Sequence, residues 1–137
     1  MSVVVLDTDV ASRLFRQRLS PSLTAQLADH THAITFVTLG ELTKWTLVRH
    51  WGLRERSRLD GFIQDVVVLP YSDLVARRWG ELQAYAQLRG RARPQNDTWI
   101  AACCLVREHP LATLNRKDFE DFVEYEGSAT DRRELTA

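Results

Sequence analysis

Four acidic residues, Asp7, Glu41, Asp97 and Asp118, occupy the places in this sequence where side chains can do chemistry. Asp7 closes the apolar run Val3–Leu6. Thr38 and Glu41 follow the run Ala33–Val37, and Thr113, Asn115 and Asp118 follow Leu111–Leu114. Asp97 opens a segment that is apolar nearly all round. Its neighbours at i+3, i+4 and i+7 are Ile100, Ala101 and Cys104, so it shares the stripe that faces the core. Carboxylates gathered at one place repel one another and lose hydration, which is costly unless a cation neutralises them. An oxygen-only ligand set, with no His or Cys, selects hard ions such as Mg2+ or Mn2+.

Each acid also has a purely structural use. Asp97 fits the N-cap of its helix, and Asp7 and Asp9 fit a turn and cap before a helix at Val10. Thr38-Leu39-Gly40-Glu41 fits a capping box, with Glu41 in the first turn of the helix, and Asp118 fits a cap ahead of Phe119. These uses do not exclude metal binding, because helix N-termini tolerate anions.

The elements that must position these acids are legible in the hydropathy pattern. Val3–Leu6, Ala33–Val37, Val66–Leu69 and Leu111–Leu114 are too short for helices and do not alternate with polar residues, as expected for strands buried on both faces of a parallel sheet. Helical patterns lie between them: a helix introduced by Ser20-Pro21, one over 38–51, one through Leu59, Phe62 and Ile63, one over 72–89 and one over 98–107. Strands alternating with helices predict an α/β fold, a three-layer α/β/α sandwich on a mainly parallel central sheet. Ligands in such folds bind beyond the carboxyl ends of the strands, where Asp7, Glu41 and Asp118 fall.

The chain of 137 residues suits one domain, expected over 1–126, with a polar tail over 127–137. No apolar run approaches the ~20 residues of a membrane span, and no signal peptide opens the chain, so the sequence predicts a cytoplasmic protein with no membrane association. The adjacent Cys103 and Cys104 suit buried, reduced thiols rather than a disulfide or zinc site. Net charge is zero from 18 basic and 18 acidic residues, yet the signs are segregated. Arginines crowd two stretches, Arg49 to Arg58 and Arg77 to Arg93, and acids crowd 118–126. That asymmetry permits a polyanion-binding face, although solvated helix faces look the same.

Taken together, these segments resemble the PIN-domain nucleases, and among them the VapC-type toxins of bacterial toxin–antitoxin pairs. The resemblance runs from Val3 to Phe122. VVVLDTDVASRLF is similar to the family's opening strand and first acid, and VTLGELTKW to the segment carrying the second. RPQNDTWIAACCL resembles the third motif, and LATLNRKDFE the closing one. Asn115 departs from the pattern, since many PIN domains have Asp two residues after the Thr; toxin-like members often share the Asn.

The resemblance implies a metal-dependent endoribonuclease that hydrolyses RNA phosphodiester bonds. Asp7, Glu41, Asp97 and Asp118 are then the catalytic acids holding one or two Mg2+ (or Mn2+) ions, with Thr8, Thr113 and Asn115 orienting carboxylates or water. Arg49, Arg54, Arg89, Arg91 and Arg93 are the expected contacts to the RNA backbone. Trp45, Trp51 and Trp99 could stack bases, but their helical spacing favours the core. The implied partners are a VapB-like antitoxin and a second copy of the chain, in a homodimer and a higher complex with the antitoxin. A non-toxin PIN nuclease in RNA processing and an inactive binding module are the alternatives; the complete set of acids argues against the latter.

Overall fold

The computed structural model describes residues 2–115 together with Lys117 and Phe119; Asp118 and the tail expected over 127–137 lie outside the described residues. Four strands form one parallel sheet in the order β3-β2-β1-β4: β1 (Val3–Leu6), β2 (Thr31–Thr35), β3 (Val67–Leu69) and β4 (Leu111–Ala112). Six helices are delimited among the described residues: α1 (Thr8–Phe15), α2 (Pro21–Leu27), α3 (Phe36–Val48), α4 (Leu53–Asp65), α5 (Asp73–Leu88) and α6 (Gln95–Arg107).

Side chains alternate across the pleat, and each face collects its own helices. Val4, Leu6, Ile34 and Ala112 pack with α1 to α4, whereas Val5, Ala33, Leu69 and Leu111 pack with α5 and α6. The result is the expected three-layer sandwich. The chain steps outward from β1 to β2 to β3, then crosses to the far side of β1 to place β4. The direction of winding thus reverses at β1, which puts the crevice of an open parallel sheet at that strand's carboxyl end.

Several boundaries differ from the hydropathy reading. β2 ends at Thr35, not at Val37, because the Thr35 hydroxyl accepts from the Thr38 amide at 3.3 Å and starts α3 at Phe36. No capping box forms at Thr38, and Glu41 lies in the second turn of α3, not the first. α6 begins at Gln95 behind Pro94, so Asp97 is its third residue and not its N-cap; the Pro94 carbonyl accepts from both the amide and the hydroxyl of Thr98. β4 ends at Ala112, two residues before Leu114.

The rest follows local chemistry. Ser20 caps α2 and Ser72 caps α5, each through its hydroxyl. α6 buries Ile100 to Cys104, and both cysteines are free thiols. Burial pushes the Cys103 thiol up to about 11, so it is not a nucleophile at neutral pH. Among the described residues no helix is long and apolar enough to cross a membrane. Leu42 is fully buried and adjoins Glu41, so it ties α3 to the sheet. Leu42→Ala is expected to cost about 2–5 kcal/mol of stability, read by urea unfolding; a loss under 1 kcal/mol, an order-of-magnitude bound, would mean the layer is loosely packed there.

Candidate active site

Asp7 sits where β1 ends and α1 begins, and it serves both elements. Its Oδ1 accepts the Val10 amide at 2.9 Å as the N-cap of α1. Its Oδ2 accepts the Thr113 hydroxyl at 2.6 Å from beyond β4. The Asn115 amide in turn donates to the Thr113 oxygen at 3.0 Å, which leaves that hydroxyl's proton for Asp7. Asp7 is only 5% exposed. Burial pushes its carboxyl up to about 6, and the neighbouring charges of Asp9 and Asp97 add to the rise, while the bonds from Thr113 and Val10 oppose it.

Glu41 is fixed at both oxygens. The Thr8 hydroxyl donates to Oε1 at 2.6 Å, and Asn96 donates to Oε2 at 3.2 Å. Thr8 and Thr38 hydroxyls lie 3.0 Å apart. A hydroxyl has one proton, and that of Thr8 is committed to Glu41, so Thr38 donates to Thr8. A relay Thr38 to Thr8 to Glu41 therefore links α3 to α1.

Asp7, Asp9, Glu41 and Asp97 wall one pocket of about 130 Å³, with Asn115 beside them. Ile100 and Phe119 supply its apolar lining, and the half-buried Trp45 also lines it. The structure thus brings together Asp7, Glu41 and Asp97, which are 34 to 90 positions apart in the sequence, along with Thr8, Thr113 and Asn115. Asp118 falls outside the described residues.

Three neighbours of the site are not evident from the sequence. Asp9, which suits a turn and cap, lines the pocket with its carboxylate and accepts from Asn115 Nδ2 at 3.4 Å. Asn96 holds Glu41 directly and Thr38 holds it through Thr8, and neither carries a signal beyond being a polar residue near a helix start. Among the described residues no arginine lines the acidic pocket. Arg49 lines the neighbouring cavity, whereas Arg54, Arg89, Arg91 and Arg93 line neither. Trp51 is buried in the core and Trp99 stacks on Trp79 with centroids 4.9 Å apart, so neither is presented to a base.

The chemistry of the donors fits a hard cation. All are oxygens, and their negative charges are concentrated. Among the described residues no trio of His, Cys, Asp or Glu is drawn close enough to enclose an ion unaided.

The PIN domain family profile matches residues 4–124. This chain belongs to the PIN domain family. The PIN domain here is 33% identical over 130 residues to ribonuclease VapC5 of Mycobacterium tuberculosis, covering 92% of this chain and 90% of that protein. The crystal structure of VapBC-5 from M. tuberculosis, a member of the VapBC family of toxin–antitoxin systems, matches with a TM-score of 0.69 and 28% identity over 96% of this chain and 97% of that one. VapBC2 from Rickettsia felis, bound to a promoter DNA fragment, shares the PIN fold with a TM-score of 0.77 at 20% identity, covering 98% and 97%.

Proposed function

We propose that this PIN domain is a metal-dependent endoribonuclease that hydrolyses RNA phosphodiester bonds and acts as the toxin of a toxin–antitoxin pair. The observation that carries the metal chemistry is the acidic pocket at the switch point of the sheet, where burial and neighbouring acids raise the Asp7 carboxyl to about 6. The RNA substrate follows from the relationship to a ribonuclease over most of both chains. The antitoxin partner, VapB-like, is supported by likeness to a toxin–antitoxin system; a homodimer of the toxin is the expectation that the family resemblance carries.

In this reading Asp7, Glu41 and Asp97 hold Mg2+ or Mn2+, and Asp118 completes the set. The bound ion supplies Lewis acidity, which acidifies water and offsets charge on the phosphate. The chain's own contribution is preorganisation. Thr113 and the α1 amide fix both oxygens of Asp7, and Thr8 and Asn96 fix both oxygens of Glu41, so neither carboxylate must be ordered when substrate arrives. Asn115 steadies Asp9 at the rim and keeps the Thr113 proton aimed at Asp7.

The purified protein is expected to cleave single-stranded RNA in Mg2+ or Mn2+ and to stop in EDTA, and added antitoxin is expected to suppress cleavage. Cleavage undiminished in EDTA, or none with either metal, rejects the reading.

A further inference from the structure

A second cavity, of about 230 Å³, adjoins the acidic pocket, and the two share Asp9 and Trp45 as a common wall. Its charge is of the opposite kind. Arg13, Arg16, Arg18 and Arg49 line it. They converge because two helices end there. Arg13 is in the last turn of α1, Arg16 is its C-cap, and Arg18 follows once Gln17 has taken a left-handed conformation at φ 58°. Arg49 is the C-cap of α3.

Cations at helix C-termini are favoured by the backbone dipole, which accounts for an arginine at each end but not for four in one cavity. Two of them are held in place. Arg16 pairs with Glu55 at 3.0 Å and sits 5.1 Å from the Trp51 ring centroid. The Arg49 guanidinium lies 4.0 Å from the centroid of Trp45, in cation–π contact with the shared wall. Arg13, Arg18 and Arg49 are solvent-exposed, and among the described residues no carboxylate forms an ion pair with any of them. Asp9 in the shared wall and Glu55 on Arg16 are the acids set against four guanidinium groups, so the cavity keeps an excess of positive charge that suits an anion, and the guanidinium fork matches phosphate oxygens.

We propose that this arginine cavity binds a phosphate of the RNA strand next to the one being cleaved, which seats the scissile bond over the acidic pocket. The inference rests on the ribonuclease reading above. Trp45, with Arg49 on its ring, is the partition that separates the two phosphate positions. The charge pattern suits a polyanion: a metal-loaded pocket takes one phosphate, and the arginines take its neighbour.

The test uses a fluorescein-labelled single-stranded RNA decamer of mixed sequence, first in EDTA to read binding alone. Arg13→Ala/Arg49→Ala is expected to weaken binding at least tenfold. It is also expected to lower the slope of log Kd against log salt by about 1.4, at about 0.7 for each single-strand phosphate that is no longer neutralised. In Mg2+ the same variant is expected to raise KM by a similar factor with kcat within twofold. Arg58→Ala/Arg77→Ala removes equal charge from exposed positions outside the cavity, and is expected to change Kd less than threefold. Arg13→Gln/Arg18→Gln spares the Arg49–Trp45 pair and is expected to weaken binding at least fivefold, should the first variant fold poorly.

Equal losses in the cavity and control variants, or an unchanged Kd and KM, overturn the subsite while leaving the ribonuclease reading intact. Arginine-dependent binding by a wild-type protein that cleaves nothing in either metal overturns the ribonuclease reading, and with it the placement beside a scissile bond.

Discussion

Asp7→Asn is expected to abolish RNA cleavage and yet make the metal-free protein more stable at neutral pH. Burial first, and then Asp9 and Asp97, hold the Asp7 carboxyl at about 6, against an ordinary value of 3.8. The unfolded chain releases this proton near 3.8 and the folded protein near 6, so between those values the folded state holds more protons. Stability therefore falls as pH rises through that window and stays lower above it. The shift of about two units corresponds to about 3 kcal/mol of destabilisation at pH 7. Asn carries no charge, keeps an oxygen for the Val10 amide and offers Nδ2 to the Thr113 oxygen, which can turn to accept it. The gain is expected to approach that figure in EDTA and to shrink in saturating Mg2+, which stabilises only the wild type. Urea unfolding at pH 4.5 and pH 7 reads it directly. A variant less stable than wild type in EDTA at pH 7 would contradict the placement of an uncompensated charge at Asp7.

Asp97→Asn is expected to lower cleavage by at least ~100-fold, the consequence of removing a few kcal/mol of charge stabilisation from a metal site. Folding is expected to survive. Asp97 is half-buried at the third position of α6 and is not that helix's cap, and Asn keeps the shape and hydrogen-bonding capacity of the side chain, so the fold does not depend on its charge. Mn2+ affinity, measured separately, is expected to fall with activity. A folded Asp97→Asn protein with full cleavage sinks the assignment of this acid.

The layers and their order are legible in the sequence because strands covered on both faces leave unbroken β-branched runs, and four such runs appear. Boundaries are less so. At Thr35–Phe36 the strand and the following helix are both apolar, so hydropathy is continuous across the junction, and a single hydroxyl-to-amide bond decides where the turn begins. At α6 the first turn, Gln95-Asn96-Asp97, is polar, so the apolar pattern starts three residues late. Acids lying just beyond strands stand out by position. Asp9 does not, because its carboxylate reaches the pocket from the first turn of a helix, where an acid has an ordinary explanation. Arg13, Arg16 and Arg18 are hidden too, since they are not clustered with the other arginines in sequence; their meeting with Arg49 depends on how α1 and α3 end.

The bond between Thr113 and Asp7 joins residues 106 positions apart, and β4, which delivers Thr113, is added to the sheet beside the strand that was made first. Synthesis runs from the amino terminus, and parallel pairing across such a span forms late. Folding in that order is expected to pair β1, β2 and β3 before the strand that completes the Asp7 cradle. The carboxylate at the centre of the pocket is thus held at both oxygens only once the two ends of the described chain have met, so the site and the closed sheet are completed by the same event.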